Sequence, residues 1–598
     1  MSIEQLGAVE VTSVSRSALA LSDAPAAIYV ISHDDVIRSG AITIPEMLRL
    51  APNLEVARLN STSYAISARG FNVGNNASLS NKLLVLIDGR GVYTPMFGGV
   101  YWDMLVVQPE DIERIEVISG PGATLWGANA VNGVINIITR SSTETQGGVL
   151  TLGAGNLERN AAIQYGGRLS PELTWRAHLE YSDFSSLQLS NGHNAKDSWW
   201  LPSGGVRFDW NRDGDSVTIQ GDILTSTQQP AGFVRESDAA ATWRHVFSDG
   251  STLQLLTYFD NASRAANNGN SFSLNTYDIE VQHNFKIGSW NDIVWGAGDR
   301  ALRYTFENTA LALVPSSQTL NLANIFVQDT ISLTSRVKLT LGVKLENEPY
   351  AGWQVMPSAR LAWKPADNVL LWTAVSRALR SPTPIDTNLR EFAGTLDVLN
   401  GSTSFRPEAL TAYEIGTRVQ VSPKASFSLS AYYDVYDHLR SINPNPTPPG
   451  LFQFGNAMAG RVYGIEAWGN LQVTDWWRLS AGFNLLHEEL TFQQGSSRIA
   501  GLAFVANDPN QQAMLHSSMN LGESVTWDAY VREVGMLQHP GVPGYVELDM
   551  RVGWNISRTL QVSLSGFNLL HARHTEFLEG GISTDVPRSV LAQARLRF

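Results

Sequence analysis

The sequence contains no cysteine among its 598 residues. This absence excludes disulfide bonds, thiolate metal sites and cysteine nucleophiles, and it is compatible with passage through an oxidising compartment. Basic residues are also in deficit, because 43 Lys and Arg stand against 56 Asp and Glu, a formal net charge of −13. Since nucleic acid binding needs a basic footprint, we expect no nucleic-acid partner.

Long apolar runs are missing as well. No stretch approaches the roughly 18 uninterrupted apolar residues of a transmembrane helix, so a chain that spans a membrane must do so as a closed β-barrel. The N-terminus, Met1–Leu6, lacks a basic region followed by an apolar region, as a secretory signal would have. We therefore expect a mature form with an added or relocated initiator methionine.

Most of the chain instead shows two-faced strands. Residues 173–181 alternate strictly, and the apolar positions are Leu173, Trp175, Ala177, Leu179 and Tyr181. The same alternation recurs at 337–346, 546–556 and 592–598. One face suits lipid and the other suits water. Runs of about nine to eleven residues have the length of a tilted membrane strand, whereas sandwich strands average about five or six.

The connections between strands are predicted to be of two kinds. Residues 211–215 and 248–250 carry the Asp-Gly signature of tight hairpins. Four other stretches are predicted to be longer exposed loops, namely 262–275, 382–404, 441–457 and 491–512.

The first 140 residues mix helix and strand signals. Ala27–Ile31 is predicted to be a strand, and Thr43-Ile-Pro-Glu46 has the pattern of a capping box that opens a helix over Pro45–Leu50. Pro109–Arg114 is predicted to be a second short helix that leads into the strand Ile115–Ile118. Gly120-Pro-Gly122 then turns the chain; with no GKS/T and no helix expected after it, this turn does not indicate a phosphate loop.

Segment 112–140, with Gly120-Pro-Gly122 at its centre, resembles the plug of TonB-dependent outer-membrane receptors, as does segment 82–93. The resemblance covers the whole chain, and it returns at Ser376-Arg-Ala-Leu-Arg-Ser-Pro-Thr383, at 405–418, at 463–466 and in the terminal strand ending in Phe598. It implies an all-β transmembrane barrel of about 22 antiparallel strands with an N-terminal α+β plug domain in the lumen. The implied parts are an N-terminal segment 1–24, a plug 25–140 and a barrel 141–598.

Near the N-terminus, one segment resembles the Ton box of this family, and it comprises Ala8, Val9, Glu10, Val11, Thr12, Ser13, Val14 and Ser15. The resemblance implies a periplasmic strand that adds to the sheet edge of the TonB C-terminal domain, which works with an inner-membrane energising complex. The alternative is a disordered tail whose alternation arose by chance.

The resemblance also implies an electrostatic latch between plug and barrel. Arg69 and Arg114 match plug arginines that in the family meet two barrel-wall glutamates, here Glu414 and Glu466. The alternative is that both glutamates simply line a wet lumen.

Ligand contacts are expected in the apical loops of the plug, at 71–79 and 93–102. These loops offer a set of amides and large side chains suited to a bulky, partly apolar ligand, namely Asn72, Asn75, Asn76, Tyr93, Met96, Phe97, Tyr101 and Trp102. The aromatic members could equally pack within the plug. Further candidates in the barrel, which could instead form the interfacial girdle, are Tyr350, Trp353, Phe452 and Phe454.

The function implied is energised import of a ferric siderophore or a related metal chelate across the bacterial outer membrane. Cobalamin is the main alternative ligand, and a passive or selective diffusion channel is the alternative of a different class. No G-x-S-x-G or H-E-x-x-H constellation indicates an enzyme. We expect no cofactor, and His571 and His574 are interpreted as structural. The expected setting is a monomer amid outer-membrane lipid and lipopolysaccharide, with its N-terminus in the periplasm.

Overall fold

A computed structural model describes residues 7–73, 80–228, 232–266, 268–446, 450–497, 501, 506–539, 541–578 and 583–598. Within these ranges the chain forms a closed β-barrel that surrounds a smaller N-terminal domain. Asn75 and Asn76, two of the expected ligand contacts, lie outside the described residues.

The barrel has 22 antiparallel wall strands, so the fold expected from the sequence is confirmed. It closes where the first wall strand pairs with the last, for example at Leu150 with Leu596. The wall strands are Gly147–Gly155, Glu158–Arg168, Leu173–Phe184, Trp199–Arg212, Asp215–Gln228, Gly232–Val246, Thr252–Ala266, Ser271–Ile287, Asn291–Glu307, Ser317–Ser332, Val337–Glu348, Gly352–Ala366, Val369–Arg380, Glu408–Ser422, Ala425–Pro444, Phe452–Thr474, Trp477–Phe492, Gln511–Leu521, Val525–Val534, Tyr545–Asn555, Leu560–Phe567 and Ser589–Arg597.

The period-two pattern sets which face of the wall each side chain occupies. In Leu173–Phe184, Leu179 is 66% exposed on the outer surface, whereas Thr174 and Arg176 are buried against the interior. The strands are more variable than the expected nine to eleven residues, because they range from 8 to 23. Pairing continues past the lipid-facing band, so part of what looked like loop is strand.

Connections differ between the two ends of the barrel. At one end, here called the turn end, the chain reverses within a few residues, for example at 213–214, 367–368 and 475–476. Asp213 and Gly214 have φ values of 48° and 89°, as the predicted tight hairpin requires. At the other end, the loop end, are the long connections 185–198, 381–407, 493–510 and 568–588.

Two predicted loops are wrong. Most of 262–275 and of 441–457 belongs to paired wall strands, because the hairpins continue beyond the lipid-facing band. Stretch 382–404 does lie in a connection, which folds into a helix, Pro384–Asn388, and a hairpin of Leu389–Ala393 with Leu396–Asn400. The remaining stretch, 491–512, is only partly among the described residues.

Further short strands lie outside the set of 22 wall strands. Leu311–Leu313 pairs with Leu389–Ala393, and Leu537–Gln538 pairs with Gly541–Val542. A three-stranded sheet near the loop end consists of Gln188–Leu189, Thr584–Pro587 and Arg573–Thr575.

The domain inside the barrel is built on a five-stranded sheet. Its strands, in spatial order, are Ala27–Ser32, Ile112–Ser119, Gly133–Thr139, Leu83–Ile87 and Arg90–Gly91. A hairpin of Glu55–Arg58 with Tyr64–Ser67 and a pair of Glu10–Val11 with Leu19–Ala20 stand beside this sheet. Apolar side chains such as Ile31, Val85 and Ile135 form its core. The domain therefore has its own hydrophobic centre within the lumen.

The helices of this domain are short: His33–Ser39, Ile44–Leu48 and Ala123–Trp126. Single 3-10 turns occur at Leu21–Asp23, Trp102–Met104 and Pro109–Asp111. No helix in the described ranges is long and apolar enough to cross a membrane.

Several local predictions need correction. Thr43 precedes a helix but makes no side-chain cap, whereas Ser32 and Asp35 form a capping box for a helix that was not predicted. The predicted helix at Pro109–Arg114 is only a 3-10 turn, and the next strand already begins at Ile112. The turn at Gly120–Gly122 is followed by a single helical turn where none was expected.

Candidate functional site

The segment that resembles a Ton box is folded against the plug. Glu10–Val11 pairs antiparallel with Leu19–Ala20, and Val11 is fully buried in an apolar cluster with Ile28 and Val134. Ser13 is buried too, Val9, Thr12, Val14 and Ser15 are half-buried, and only Ala8 and Glu10 are exposed. The expected extended strand is thus a docked hairpin in this structure.

One carboxylate holds the turn of this hairpin. Glu116 accepts hydrogen bonds from the backbone N–H groups of Thr12 and Ser13, at 3.2 and 3.0 Å, and from Ser13 Oγ at 2.5 Å. Trp126 Nε1 donates to the Ser13 carbonyl at 2.9 Å. Sequence patterns gave no sign of this role for Glu116, because its partners lie about a hundred positions away.

Arg16 joins the same segment to the barrel wall. Its guanidinium forms an ion pair with Glu280 and lies over the rings of Trp126 and Phe326, at 4.3 and 4.9 Å. The Arg16 carbonyl accepts a hydrogen bond from Gln282 Nε2 at 2.9 Å. The N-terminal segment is therefore tied both to the plug and to the wall.

Three of the four expected latch residues lie together. Arg69 Nη1 is 2.8 Å from Glu414 Oε1, and Arg69 Nη2 is 3.1 Å from Glu466 Oε2. The Arg69 side chain has no exposed surface, and its guanidinium lies 4.2 Å from the ring centre of Tyr432. Charge-assisted hydrogen bonds are strong in such a buried site. Removing one partner costs free energy because it leaves the other charge buried and unpaired.

The backbone at Arg69 has an unusual conformation, which hydrogen bonds from more distant side chains support. Arg69, Gly70 and Phe71 all have positive φ, at 52°, 90° and 64°, a conformation that costs non-glycine residues free energy. Asn132 Nδ2 donates to the carbonyls of Ala68, Arg69 and Gly70. The hydroxyl of Tyr436, in the wall, donates to Asn132 Oδ1 at 2.8 Å. Neither supporting side chain was singled out from the sequence.

The glycine-rich turn has a packing role at this site. A Cβ added to Gly120, whose φ is 95°, would lie 2.4 Å from Glu414 Oε1 and 2.7 Å from Arg69 Nη1. Glycine is needed here because the ion pair passes directly over the turn. This explains the Gly-Pro-Gly turn without any phosphate-binding role.

The expected contact of Arg114 with the barrel glutamates is wrong. Arg114 pairs with Glu113 and, at 2.8 Å, with Glu116. Glu116 in turn accepts hydrogen bonds from Ser13 of the N-terminal segment. Arg114 therefore supports the carboxylate that holds the predicted Ton box.

A second buried ion-pair group lies nearer the loop end. Lys82 of the plug pairs with Glu408, and Arg380 pairs with Glu408 and with Asp386, at 3.0 and 2.8 Å. Burial lowers the pKa of Lys82. Burial alone would raise the pKa of Asp386, but the Arg380 and Arg440 guanidinium groups outweigh it and hold this pKa below its ordinary value. These pairs fix the 381–407 connection over the plug.

Four of the six predicted plug contacts that the structure describes are buried. Met96, Phe97 and Trp102 are buried, and Phe97 meets Phe272 and Phe306 edge-on at 5.6 and 6.0 Å. Met96 and Phe97 pack against wall residues, whereas Trp102 packs in the plug core, which is the alternative kept open for the aromatics. A role for these three residues as ligand contacts stays a prediction.

Asn72 is also fully buried. Its backbone N–H donates to Asp508, which belongs to the 493–510 connection, at 2.9 Å. Burial, and then the neighbouring carboxylate of Asp508, raise the pKa of Glu55 well above its ordinary value. The buried carboxylates of Glu55 and Asp508 thus lie where the base of this apical loop meets the barrel connection.

The remaining aromatic candidates differ in position. Tyr93 and Tyr350 line an internal cavity, and Tyr101 is half-buried and stacks on Phe272 at 5.5 Å. Trp353 is 63% exposed on the outer wall, where it fits the girdle. Phe454 is buried, and Phe452 on the same strand is half-buried.

The cavity lies between the plug and one side of the barrel. It has a volume of about 420 Å³ and runs from Tyr350 and Thr383, near the loop end, to Thr218 and Gln254, near the turn end. Arg16 and Thr12 of the N-terminal segment form part of its wall. The lining mixes ion pairs, amides and hydroxyls, which suits water or a hydrogen-bonding ligand.

One group of side chains has ligand-like geometry for a metal ion. Glu547, His574 and Glu576 place possible ligand atoms within 4.8 Å of one another. However, Arg49 binds Glu576 at 2.8 Å and Arg532 binds Glu547 at 2.6 Å. Because guanidinium groups already neutralise these carboxylates, the cluster fits an ion-pair network better than a cation site.

A closed 22-stranded barrel with a folded domain in its lumen defines the class of plugged outer-membrane receptors. The family model described as TonB-dependent Receptor Plug Domain matches residues 20–134, and the one described as TonB dependent receptor-like, beta-barrel matches residues 127–569. The chain therefore belongs to the TonB-dependent receptor family, which is not a class of enzymes.

Individual relatives match different shares of the chain. The iron-regulated outer membrane virulence protein of Vibrio cholerae is 24% identical over 82% of this chain and 79% of its own length. The vitamin B12 transporter BtuB of Vibrio vulnificus is 35% identical, but over only 24% of this chain and 23% of that protein. A crystal structure of the ferric enterobactin receptor of Pseudomonas aeruginosa has a TM-score of 0.80 at 15% identity, covering 99% of this chain and all of that one.

Proposed function

We propose that this chain imports a ferric siderophore or a related metal chelate across the outer membrane, using energy delivered through TonB. The observation that carries this proposal is the N-terminal hairpin: a two-residue strand pair held mainly by Glu116 and Arg16 at the turn end of a plugged barrel. A short, weakly paired strand is one that a partner can take over by strand addition. The names of the iron-related relatives support the ligand class.

Cobalamin remains the second candidate ligand. It is favoured by the relative with the higher identity, whose match covers about a quarter of this chain.

The geometry suggests the arrangement of the partners. Short turns face the periplasm in barrels of this kind, so the turn end and the N-terminal segment would meet the TonB C-terminal domain and its inner-membrane energising complex there. The exposed apolar outer wall would face membrane lipid and, in the outer leaflet, lipopolysaccharide, around a monomer. The plug would comprise residues 25–140 and the barrel 141–598, with the connection between Thr139 and Gly147 joining them.

Arg69, with Glu414 and Glu466, would act as the latch that keeps the plug in register. Ligand would enter from the loop end, where Tyr93 and Tyr350 are the predicted contacts that line the cavity. Residues 8–15 would be the Ton box, released from Glu116 before the partner can bind them.

The test is uptake of a labelled panel by living cells: ferric catecholate, ferric hydroxamate and ferric carboxylate chelates, and cobalamin. Val11→Pro removes a backbone donor from the predicted Ton box, and Ala18→Pro is the matched control at an exposed position outside it. We expect uptake of one ligand that is lost with Val11→Pro and when the inner-membrane energy source is collapsed, but is retained with Ala18→Pro. Uptake that survives both treatments would make the protein a passive channel.

A further inference from the structure

The polar ties between plug and barrel are unevenly distributed around the wall. On one side, Arg418 donates to the carbonyls of Leu21, Ala24 and Ala26. On the same side Arg478 pairs with Asp35 at 2.6 Å, and Asp528 pairs with Arg38 at 3.0 Å. Together with Glu414, Glu466 and Glu408, these contacts fasten the plug to the strands after residue 369.

Three adjacent strands on the opposite side are different: Ser271–Ile287, Asn291–Glu307 and Ser317–Ser332. Among the described residues, every hydrogen bond or ion pair from these strands to the N-terminal 140 residues goes to Arg16. Their other contacts with the plug are apolar. Phe272 and Phe306 meet Phe97 near the loop end, and Val294 and Phe326 pack with Leu125 nearer the turn end. Within the described ranges, Arg16 therefore makes all the polar contacts between the plug and this part of the wall.

The cavity lies along these same strands. Thr276, Asp278, Glu280 and Gln282 face it in succession, and six residues of strand extend over about 20 Å. Asn324 lines the cavity on the neighbouring strand, next to Gly298, which presents no side chain. Since the volume is about 420 Å³, the space is long and narrow, and its polar walls can be wet.

Separating the plug from the wall should require the least free energy on this side. Separating plug and wall here breaks few hydrogen bonds and exposes groups that already border a polar cavity. Separation on the other side would leave several buried charges without their partners. The Arg16 ion pair with Glu280 crosses the space toward the turn end. Movement of the N-terminal segment removes that barrier directly.

We propose that the ligand crosses the barrel along this seam, between the plug and the strands Ser271–Ile287, Asn291–Glu307 and Ser317–Ser332, and that Arg16 closes its turn end. This inference rests on the proposed import function and assigns its route. The ligand it suits is polar and rich in hydrogen-bonding groups, because the seam offers hydroxyls, amides and compensated charges rather than an apolar surface.

The test uses the absence of native cysteine, which makes any introduced thiol unique. Asn324→Cys places a reporter in the seam, and Asn484→Cys is its matched control on the opposite wall; the side-chain oxygens of both asparagines are buried without a hydrogen-bond partner. The rate of alkylation by a small hydrophilic maleimide is measured on the full-length protein. Arg16→Glu is compared with the charge swap Arg16→Glu/Glu280→Arg, and with Arg478→Gln, which removes a tie on the opposite wall.

We expect Arg16→Glu to raise labelling at Asn324→Cys by at least about tenfold, because local opening controls access. The charge swap should restore slow labelling, and Arg478→Gln should leave it unchanged. Equal acceleration at Asn484→Cys would mean that the whole plug loosens, and an unchanged rate at Asn324→Cys would mean that Arg16 closes nothing; either result overturns the proposal. Labelling needs no ligand, so this test and the uptake test can fail independently.

Discussion

At the scale of single residues, the buried ion pairs of Arg69 allow a specific prediction about stability. Arg69→Gln leaves Glu414 and Glu466 buried without their cation, and removing one member of a buried ion pair costs about 3–5 kcal/mol. We expect that loss in the local opening free energy of Gly133–Thr139, measured by hydrogen exchange. Arg114→Gln is the control, because Arg114 contacts neither glutamate. Similar losses in both variants would contradict a latch centred on Arg69.

The same site shows which residue roles can be predicted from the sequence. Arg69, Glu414 and Glu466 were predicted because they occur within recognisable motifs, whereas Arg114 carried the same motif signal and lies elsewhere. Asn132 and Tyr436 support the Arg69 backbone from positions 304 residues apart, and no local pattern links them. Side chains whose role depends on a close approach in three dimensions, including Arg16 and Glu116, could not be found from spacing.

At the scale of elements, the N-terminal hairpin should be controlled by Glu116. Glu116→Gln weakens the hydrogen bonds to Thr12 and Ser13, because a neutral amide accepts more weakly than a carboxylate. We expect faster hydrogen exchange and easier proteolysis within residues 8–16, with the barrel unchanged. Glu113→Gln is the matched control, since Glu113 is on the same strand and does not bond to the hairpin. An equal response to both substitutions would show that Glu116 has no special hold on it.

Elements were predicted best where one face must meet lipid. The alternation in Leu173–Phe184 and Tyr545–Asn555 fixes which side chains point outward. The Asp-Gly dipeptide predicted the tight turn at Asp213 and Gly214, and both residues have the positive φ values that such a turn requires. Strand ends were predicted poorly, because pairing beyond the bilayer needs no apolar pattern. The docking of Val11 was also missed: a β-branched alternation indicates a strand but does not tell which sheet or cluster will receive it.

At the scale of the whole molecule, barrel and plug should be separable. The wall closes through its own backbone pairing of Gly147–Gly155 with Ser589–Arg597, so it does not need the plug to complete its sheet. Removing the plug exposes Glu414, Glu466 and Glu408 to water rather than leaving them buried and unpaired. The desolvation penalty that makes Arg69→Gln costly in the intact protein therefore disappears when the entire plug is absent.

We accordingly expect deletion of residues 1–140 to yield a folded barrel that conducts ions freely in planar bilayers, since a lumen of 22 strands is too wide for its own side chains to fill. Deletion of residues 1–9, which leaves Arg16 and the plug in place, should conduct far less. Folding of both variants is checked by the shift in gel mobility on heating. A folded barrel without the plug that remained closed would mean that the 381–407 connection, not the plug, is the main barrier, because the buried pairs of Asp386 anchor this connection to the wall strands.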